Sequence, residues 1–479
     1  MGRFLLILLC FLHSAAFARV VVLGTGSGSL TKMDMSGLHP GDTIGIRAGT
    51  YGYSRFGNLS HITIINYGGQ VIFKTDPVEF SNNDHVSFSG TGKPGLTYGF
   101  YFLGQEKNAI VTTGHHEACT WSNIEFRDCT GGNGVINPQD AMLQFDGVQN
   151  NTKEYYLCRF LHLHLVHCSS FMGNYKGPLL NVQDSCEYGY IVVDSATGPS
   201  QISANSFYRA NIHHWQLNGS MDHPDTDLGV FVITGNTQIH HCMRKGYQWG
   251  WFVRLTQLSL DDARDSYIYN NIDVGSIAYG FVDFRVAQSS TGTLPPVAGN
   301  LHVYNNTVGN YKNQNNYVTP VLLNYGTGQY YAEVINNLRF NSRNAPAGGQ
   351  ADTINVVDYS AEKRVRNSHN LYFRDPIRSA VLKDTLNCFL ESGSPAIDGG
   401  VTVPFVKNDF DGAARPRGAA YDIGARESSE ARLLPIRENL PGYSKSVFWL
   451  FFPAVILMIA AFFTVKWMTT RRRKMIAGS

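Results

Sequence analysis

Between residues 19 and 442 the apolar positions never settle into a sustained helical period. What recurs is a short strand of β-branched or aromatic residues that ends on a pair of small polar side chains. Ile124-Glu125-Phe126-Arg127-Asp128-Cys129 aligns with Leu163-His164-Leu165-Val166-His167-Cys168. The series continues through Ile212-His213-His214, Ile239-His240-His241, Tyr267-Ile268-Tyr269-Asn270-Asn271, Val303-Tyr304-Asn305-Asn306, Val334-Ile335-Asn336-Asn337 and, more loosely, Ser368-His369-Asn370. The first residues of these pairs stand at 128, 167, 213, 240, 270, 305, 336 and 369, with steps of 39, 46, 27, 30, 35, 31 and 33. Such a recurrence marks a repeat architecture, and the propeller and leucine-rich signatures are missing. Unequal steps suit a coil whose strands must stack while its turns are free to bulge.

The pattern predicts an all-β fold, a right-handed parallel β-helix (a solenoid) that runs unbroken from about residue 38 to 425. Coils in such a fold lie ~4.8 Å apart, so equivalent residues form columns along the axis. Asn tolerates the left-handed backbone of a corner, and its amide can bond the amide above. Asn270, Asn305 and Asn336 are therefore expected in one such column. Adjacent histidines on a strand point to opposite faces, which argues against shared ligation by His115-His116, His213-His214 or His240-His241. His213 stacked above His240 would make a structural ladder.

The two ends carry different devices. Residues 1–18 read as a secretory signal, with Arg3, an apolar stretch from Phe4 to Leu12, and the small-x-small site Ala16-Phe17-Ala18. Residues 447–465 hold no charge and are long enough to cross ~30 Å of hydrocarbon as a helix. Trp449 and Trp467 flank this stretch, and Lys466, Arg471, Arg472, Arg473 and Lys474 follow it. The expected organisation is a signal (1–18), the β-helix with its capping regions (19–427), a linker (428–446), a transmembrane helix (447–465) and a basic cytoplasmic tail (466–479). In a two-membrane bacterium this puts the large domain in the periplasm. The order Leu440-Pro441-Gly442, apolar span, basic tail also looks like a sorting signal that would move it to the cell surface.

Charged residues make up 16% of the chain, against ~25% in ordinary globular domains, and the net charge of +2 includes the basic tail. Nucleic acid, which wants a concentrated basic face, is not an expected partner. Removing Cys10 with the signal leaves seven cysteines and no C-x-x-C pair, so buried stacked thiols and disulfides both stay open.

Residues 40–51, from Pro40-Gly41-Asp42-Thr43 to Tyr51, resemble the opening coil of right-handed β-helix proteins related to pectate lyases. Residues 394–400, with Asp398, then Asp409, Asp411, Arg415, Arg417 and the stretch from Asp422 to Glu427, resemble their closing region. The resemblance implies a partner: a polysaccharide laid along one face. Asp398, Asp411, Asp422, Arg415 and Arg417 are expected to tie down the loops that cap the open end.

The densest polar constellation is Asn218-Gly219-Ser220-Met221-Asp222-His223-Pro224-Asp225-Thr226-Asp227. Lyases need the uronate carboxylate neutralised, by Ca²⁺ or by Arg/Lys, and a base for the α-proton; hydrolases need paired carboxylates. Asp222, His223, Asp225, Asp227, Arg244 and Arg254 are the candidate catalytic set. Lys245, Trp249, Trp251, Asp283 and Arg285 are candidate substrate contacts, since stacking would bring successive coils onto one sugar chain. No dedicated metal set stands out, and a cofactor is left open, with Ca²⁺ among the options. The Asp-pair and Arg-x-Lys signatures of polygalacturonases are missing, as is the Asn-Gly-x-Glu strand of alginate and chondroitin lyases. Two readings follow: a polysaccharide lyase or glycoside hydrolase, or a non-catalytic glycan-binding, adhesive or structural protein.

The basic cluster generates a topological prediction. Protease added outside an intact inner membrane should digest the large domain and leave the tail beyond Lys466 protected. Protection of the large domain would overturn the argument from both ends.

Overall fold

The chain reverses its direction at recurring corners where one residue takes a left-handed backbone. In the computed structural model Asn123, His162, Tyr190, His214, His241, Asn270, Asn305, Asn336 and His369 have φ between 50° and 59°. Asn and His tolerate this region better than most side chains. The model describes residues 18–429, apart from 32–36, 107, 130–142, 147–154, 170, 175–182, 197–201, 205–206, 220–228, 235–236, 247–249, 258–264, 276–279, 287–299, 311–318, 325–330, 342–355 and 359–364. The signal-like residues 1–17 and the apolar span 447–465 lie outside the described residues.

Three faces of parallel strands meet at these corners. Asn211–His213, Gln238–His240, Ser266–Tyr269, Leu301–Tyr304 and Ala332–Ile335 belong to the first face. After the corner, Gln216–Asn218, Met243–Lys245, Ile272–Val274, Thr307–Gly309 and Leu338–Phe340 form the second. Gly229–Thr234, Trp251–Gln257, Gly280–Val286, Thr319–Asn324 and Val356–Asp358 form the third. The fold is a parallel β-helix. Coil length varies from 24 residues, Tyr190 to His214, to 39, Asn123 to His162. Among the described residues there is no helix, and the antiparallel contacts are two bridges, Leu382–Leu390 and Asn408–Ala414, beyond the last strand at Phe373.

Columns of like side chains fill the interior. Trp121, Phe160 and Tyr188 stack at 4.9 and 5.2 Å with their rings within 6° of parallel. Phe73, Phe102 and Phe126 stack at 5.1 and 5.0 Å, tilted by 29° and 16°. Ring spacing therefore copies strand spacing, where offset stacking is favourable. Seven cysteines, Cys119, Cys129, Cys158, Cys168, Cys186, Cys242 and Cys388, are buried free thiols.

The paired polar residues are read one step differently from the sequence alignment. His213 and His240 pair in register with Tyr269, so their column is not that of Asn270. His214 and His241 are the corner residues that match Asn270, while Asp128 and His167 sit at a different left-handed corner. Asn270, Asn305 and Asn336 do share one column, but the amide-to-amide ladder belongs to their neighbours. Asn271 Nδ2 donates to Asn306 Oδ1 at 3.0 Å, Asn306 Nδ2 to Asn337 Oδ1 at 2.9 Å, and Asn337 Nδ2 to Asn370 Oδ1 at 2.9 Å. Each of those oxygens also accepts the backbone N–H of the preceding asparagine.

The corner column instead clasps the closing region. Asn305 Nδ2 donates to the Asp422 carbonyl at 3.0 Å, Asn336 Nδ2 to the Val401 carbonyl at 2.7 Å, and Val401 N–H returns to Asn336 Oδ1 at 3.0 Å. Within the closing region the buried Arg415 guanidinium bonds Glu427 and the Gly424 carbonyl. Asp422 accepts the Asp398 N–H, Asp398 accepts that of Ala420, and Asp411 pairs with Arg426. Arg417 contributes its backbone N–H to Glu427. Val381, Leu382, Ile397 and Ile423 pack on Ile272, Val274, Leu338 and Phe340, so the closing region covers the outside of the second face there.

Asn306→Ala strips the partner from a buried Asn271 N–H and should cost roughly 1–3 kcal/mol. The expected readout is a lower thermal midpoint and lost exchange protection at Asn271. Asn341→Ala, on an exposed side chain, should stay within about 0.5 kcal/mol.

Candidate functional site

The left-handed corner resets the inside–outside count of the strand that follows it. Ile212 points inward and His213 outward; His214 turns outward again at the corner, and Trp215 and Leu217 return to the core. The same reset decides where the sequence candidates fall. Leu217, Arg244 and Asp273 are successive members of one column, and all three are fully buried. Arg244 therefore faces the interior, where Nε and Nη2 fork onto Asp273 at 2.6 and 2.5 Å and Nη1 donates to the Gly250 carbonyl at 3.2 Å. The expected outward placement of Arg244 is corrected: it is enclosed as half of a buried ion pair. Lys245 does point outward, but its Nζ donates to Asn387 Oδ1 of the closing region at 2.9 Å. Trp251 is buried at 5% exposure, so it presents no open ring where a sugar contact was expected.

Arg254 and Asp283 are brought together, but Asp283 is fully buried, so the expected substrate contact is corrected there. They pair in register on successive coils, with Nε 3.4 Å from Oδ2. Arg285 lies in the same strand, in register with Thr256. Asp222, His223, Asp225 and Asp227 fall in 220–228, and Trp249 in 247–249, outside the described residues.

A second constellation, missed in the sequence, stands on the outside of the second face. Glu125 and His164 occupy one column on successive coils, and Arg127, Asp194 and Asn218 the next one over. His164 Nδ1 lies 3.3 Å from Glu125 Oε2, and its Nε2 lies 2.9 Å from Asp194 Oδ2. Arg127 donates to Glu125 Oε1 through Nε at 2.9 Å and Nη2 at 2.6 Å. Asn218 Nδ2 donates to Asp194 Oδ1 at 3.1 Å. Glu125 is almost enclosed, at 6% side-chain exposure, whereas Asp194 at 39% and Arg127 at 43% meet water.

The Tyr98 ring lies 5.5 Å from the His164 ring, and Tyr101 pairs in register with Glu125. Burial and the nearby Glu125 carboxylate push both phenols above their ordinary pKa, so each keeps its proton and can donate. The arrangement offers an imidazole between two carboxylates, a guanidinium and two phenols, the group types used to bind hydroxyls and move protons. The signal was present in the sequence: Ile124-Glu125-Phe126-Arg127 and Leu163-His164-Leu165-Val166 align in the register the structure shows. Only the side of the sheet was missing.

The adjacent histidines also behave differently from the strand rule. His115 is exposed and His116 fully buried, as alternation predicts. His213 and His214 instead meet, Nδ1 to Nδ1 at 2.8 Å, and His240 and His241 at 2.6 Å, because the second of each pair sits at the left-handed corner. His213 stacks on His240 at 5.3 Å, and His214 on His241 at 5.0 Å. Gly189 makes room for this ladder, since a Cβ there would lie 2.4 Å from the His213 ring. His241 Nε2 reaches the Asp409 carbonyl at 2.7 Å, which ties the ladder to the closing region.

With this geometry in view, the chain is similar to two solved lyase structures. The alginate lyase AlyGC, of family PL6, aligns at 13% identity over 71% of this chain and 49% of its own, with a TM-score of 0.42. The pectate lyase Pel9A aligns at 13% identity over 82% of this chain and 89% of its own, with a TM-score of 0.24. The chain spans about half the length of the alginate lyase. No family model and no curated protein matches it.

Burial holds His240 down to about 2 and His241 to about 4, with the neighbouring imidazoles adding to the shift. Both sit below the free value of ~6.5, so the unfolded chain takes up protons first and stability falls as pH drops from 6.5 toward 4. His213, His214, Glu187 and Asp409 surround these rings. Melting followed between pH 7.5 and 4.5 should show this loss, and His241→Gln should flatten it. An unchanged slope in the variant would rule the ladder out as its source.

Proposed function

We propose that the chain is an exported, membrane-held β-helix that takes a polysaccharide along the outside of its second face. The observation that carries this reading is the Glu125–His164–Asp194 chain, spread over three coils and flanked by Arg127, Asn218, Tyr98 and Tyr101. Polar groups repeated at ~4.8 Å along an axis suit a linear polymer better than a compact ligand. In sequence Asn218 leads directly into the acid-rich segment with Asp222, His223, Asp225 and Asp227. Arg254 and Arg285, on third-face strands that follow that segment, are kept in this reading as further candidate contacts. The secretory pattern of residues 1–18 and the uncharged span 447–465 support export and tethering.

Within this reading the site is an acid–base centre for cleaving a glycosidic linkage by elimination or hydrolysis. His164 is the proton carrier and Arg127 the group that meets substrate charge. One observation favours binding without cleavage. Each ionised group already has an internal partner, Glu125 with Arg127 and Asp194 with His164 and Asn218.

The test is a panel of acidic and neutral polysaccharides offered to the full-length chain, with and without Ca²⁺. His164→Ala/Asp194→Asn and Asp225→Ala serve as comparisons. We expect at least tenfold weaker binding in the double variant, about 1.4 kcal/mol, with circular dichroism unchanged. Unsaturated products would identify elimination, new reducing ends without them hydrolysis, and binding alone the second reading. Equal binding and turnover in wild type and double variant would overturn the site.

A further inference from the structure

A separate left-handed corner leads into the first face, and it carries His61 and His85 on successive coils, with φ of 56° and 51°. Their imidazoles stack face to face, 4.5 Å apart and 6° from parallel. Asp84 lies between them at the end of its strand. Its Oδ1 is 2.6 Å from His85 Nδ1, and its Oδ2 is 3.7 Å from His61 Nδ1. Ser60 Oγ closes the group, 3.0 Å from Asp84 Oδ2 and 2.9 Å from His61 Nδ1. One donor atom from each of His61, Asp84 and His85 falls within 4.8 Å of the others. On the following coil Glu117 pairs in register with Asp84, and His115 Nε2 lies 3.7 Å from it.

Carboxylates on the coils are matched either by arginine or by imidazole alone, as Asp128 is by His167 and Asp265 by His302. Glu187, Asp184, Asp273 and Glu333 are each matched by an arginine: Arg159, Arg209, Arg244 and Arg366. Among the described residues Asp84 and Glu117 meet only imidazoles within ion-pair distance. Two carboxylates one coil apart therefore stand among three imidazoles, with no arginine or lysine within ion-pair distance among the described residues. Together they make a nitrogen–carboxylate donor set on one exposed corner.

We propose that His61, Asp84 and His85 bind a divalent transition ion of the Zn²⁺ class, clipping two successive coils together. Two imidazoles and a carboxylate form a nitrogen–oxygen set suited to Zn²⁺, with bonds of ~2.0–2.2 Å, and leave a fourth position for Glu117 or water. Ca²⁺ and Mg²⁺ prefer all-oxygen shells, so the two histidines discriminate against them. All three side chains are about half exposed, so the rings can tilt from their stack toward a shared ion without moving the backbone. The ion would neutralise Asp84 and fix a corner that hydrogen bonds alone now hold. Because the ligands must be deprotonated, binding weakens as pH falls.

Titration of the full-length chain with Zn²⁺, followed by calorimetry and thermal melting, tests this. We expect one site whose affinity falls at least tenfold in His85→Gln and further in His61→Gln/His85→Gln. The Zn²⁺-induced rise in melting temperature should be lost in the double variant, and Ca²⁺ should give neither response. Co²⁺ as a spectroscopic probe should show imidazole coordination that disappears in the double variant. A variant that keeps the Zn²⁺ affinity and melting shift would overturn the proposal. So would a wild type that binds no Zn²⁺, or one that binds Ca²⁺ as tightly.

Discussion

Each coil of this chain hydrogen-bonds through its backbone to the next, and strands so paired lie ~4.8 Å apart. Any residue must then tolerate the residue one coil above and one coil below at that spacing. Flat rings, thiols and primary amides meet this demand, because each gains from a like neighbour. The interior accordingly sorts into columns: aromatic rings at Trp121, Phe160 and Tyr188, thiols at Cys119, Cys158 and Cys186, and amides from Asn271 to Asn370. The asparagine ladder does two jobs at once. It passes one amide to the next and caps the backbone N–H that the corner leaves unpaired, so a buried polar row costs nothing in unsatisfied groups.

Charges obey the same rule in the opposite sense. Like charges stacked at this spacing repel, so a carboxylate on one coil is met by a cation or an imidazole on a neighbouring one. Arg159 over Glu187, Arg254 over Asp283 and Glu333 beside His302 and Arg366 follow this pattern. Arg244 and Asp273 carry it into the interior, where the fork geometry offsets a large desolvation cost and removing one partner would leave a buried charge. Nearness of acids and bases in a solenoid is therefore the default. What sets Glu125, His164 and Asp194 apart is that their chain grades from enclosed to solvent-exposed, with open edges a ligand can reach.

The coil architecture was legible because its signal is periodic and each copy is short. Aligning Ile124 through Cys129 with Leu163 through Cys168 even recovered the true register. The later pairs were misread because His-His and Asn-Asn look equivalent as text. In both, the first-face strand is followed by a left-handed residue, but that residue is the second histidine and the first asparagine. With both members polar, nothing in the letters marks which one turns. The same ambiguity hid the direction of Arg244, since each corner lets two successive side chains face outward and shifts the count by one. A charged residue three steps past a corner, as Arg244 is past His241, can thus read as surface and lie at the centre.

The closing region narrows the surface on which chemistry can occur. It takes the corner amides of Asn305 and Asn336, the imidazole of His241 and the ammonium of Lys245 as anchors, and it lays Val381, Ile397 and Ile423 over the late coils of the second face. That burial takes the apolar outer side chains Ile272, Val274, Leu338 and Phe340 out of water. It also removes those coils as a landing place for a long polymer. Glu125, His164, Asp194 and Asn218 lie on earlier coils of the same face, and among the described residues their side chains pair with one another and not with the closing region. Capping and the proposed binding surface thus divide one face between them, and the boundary falls between Asn218 and Lys245.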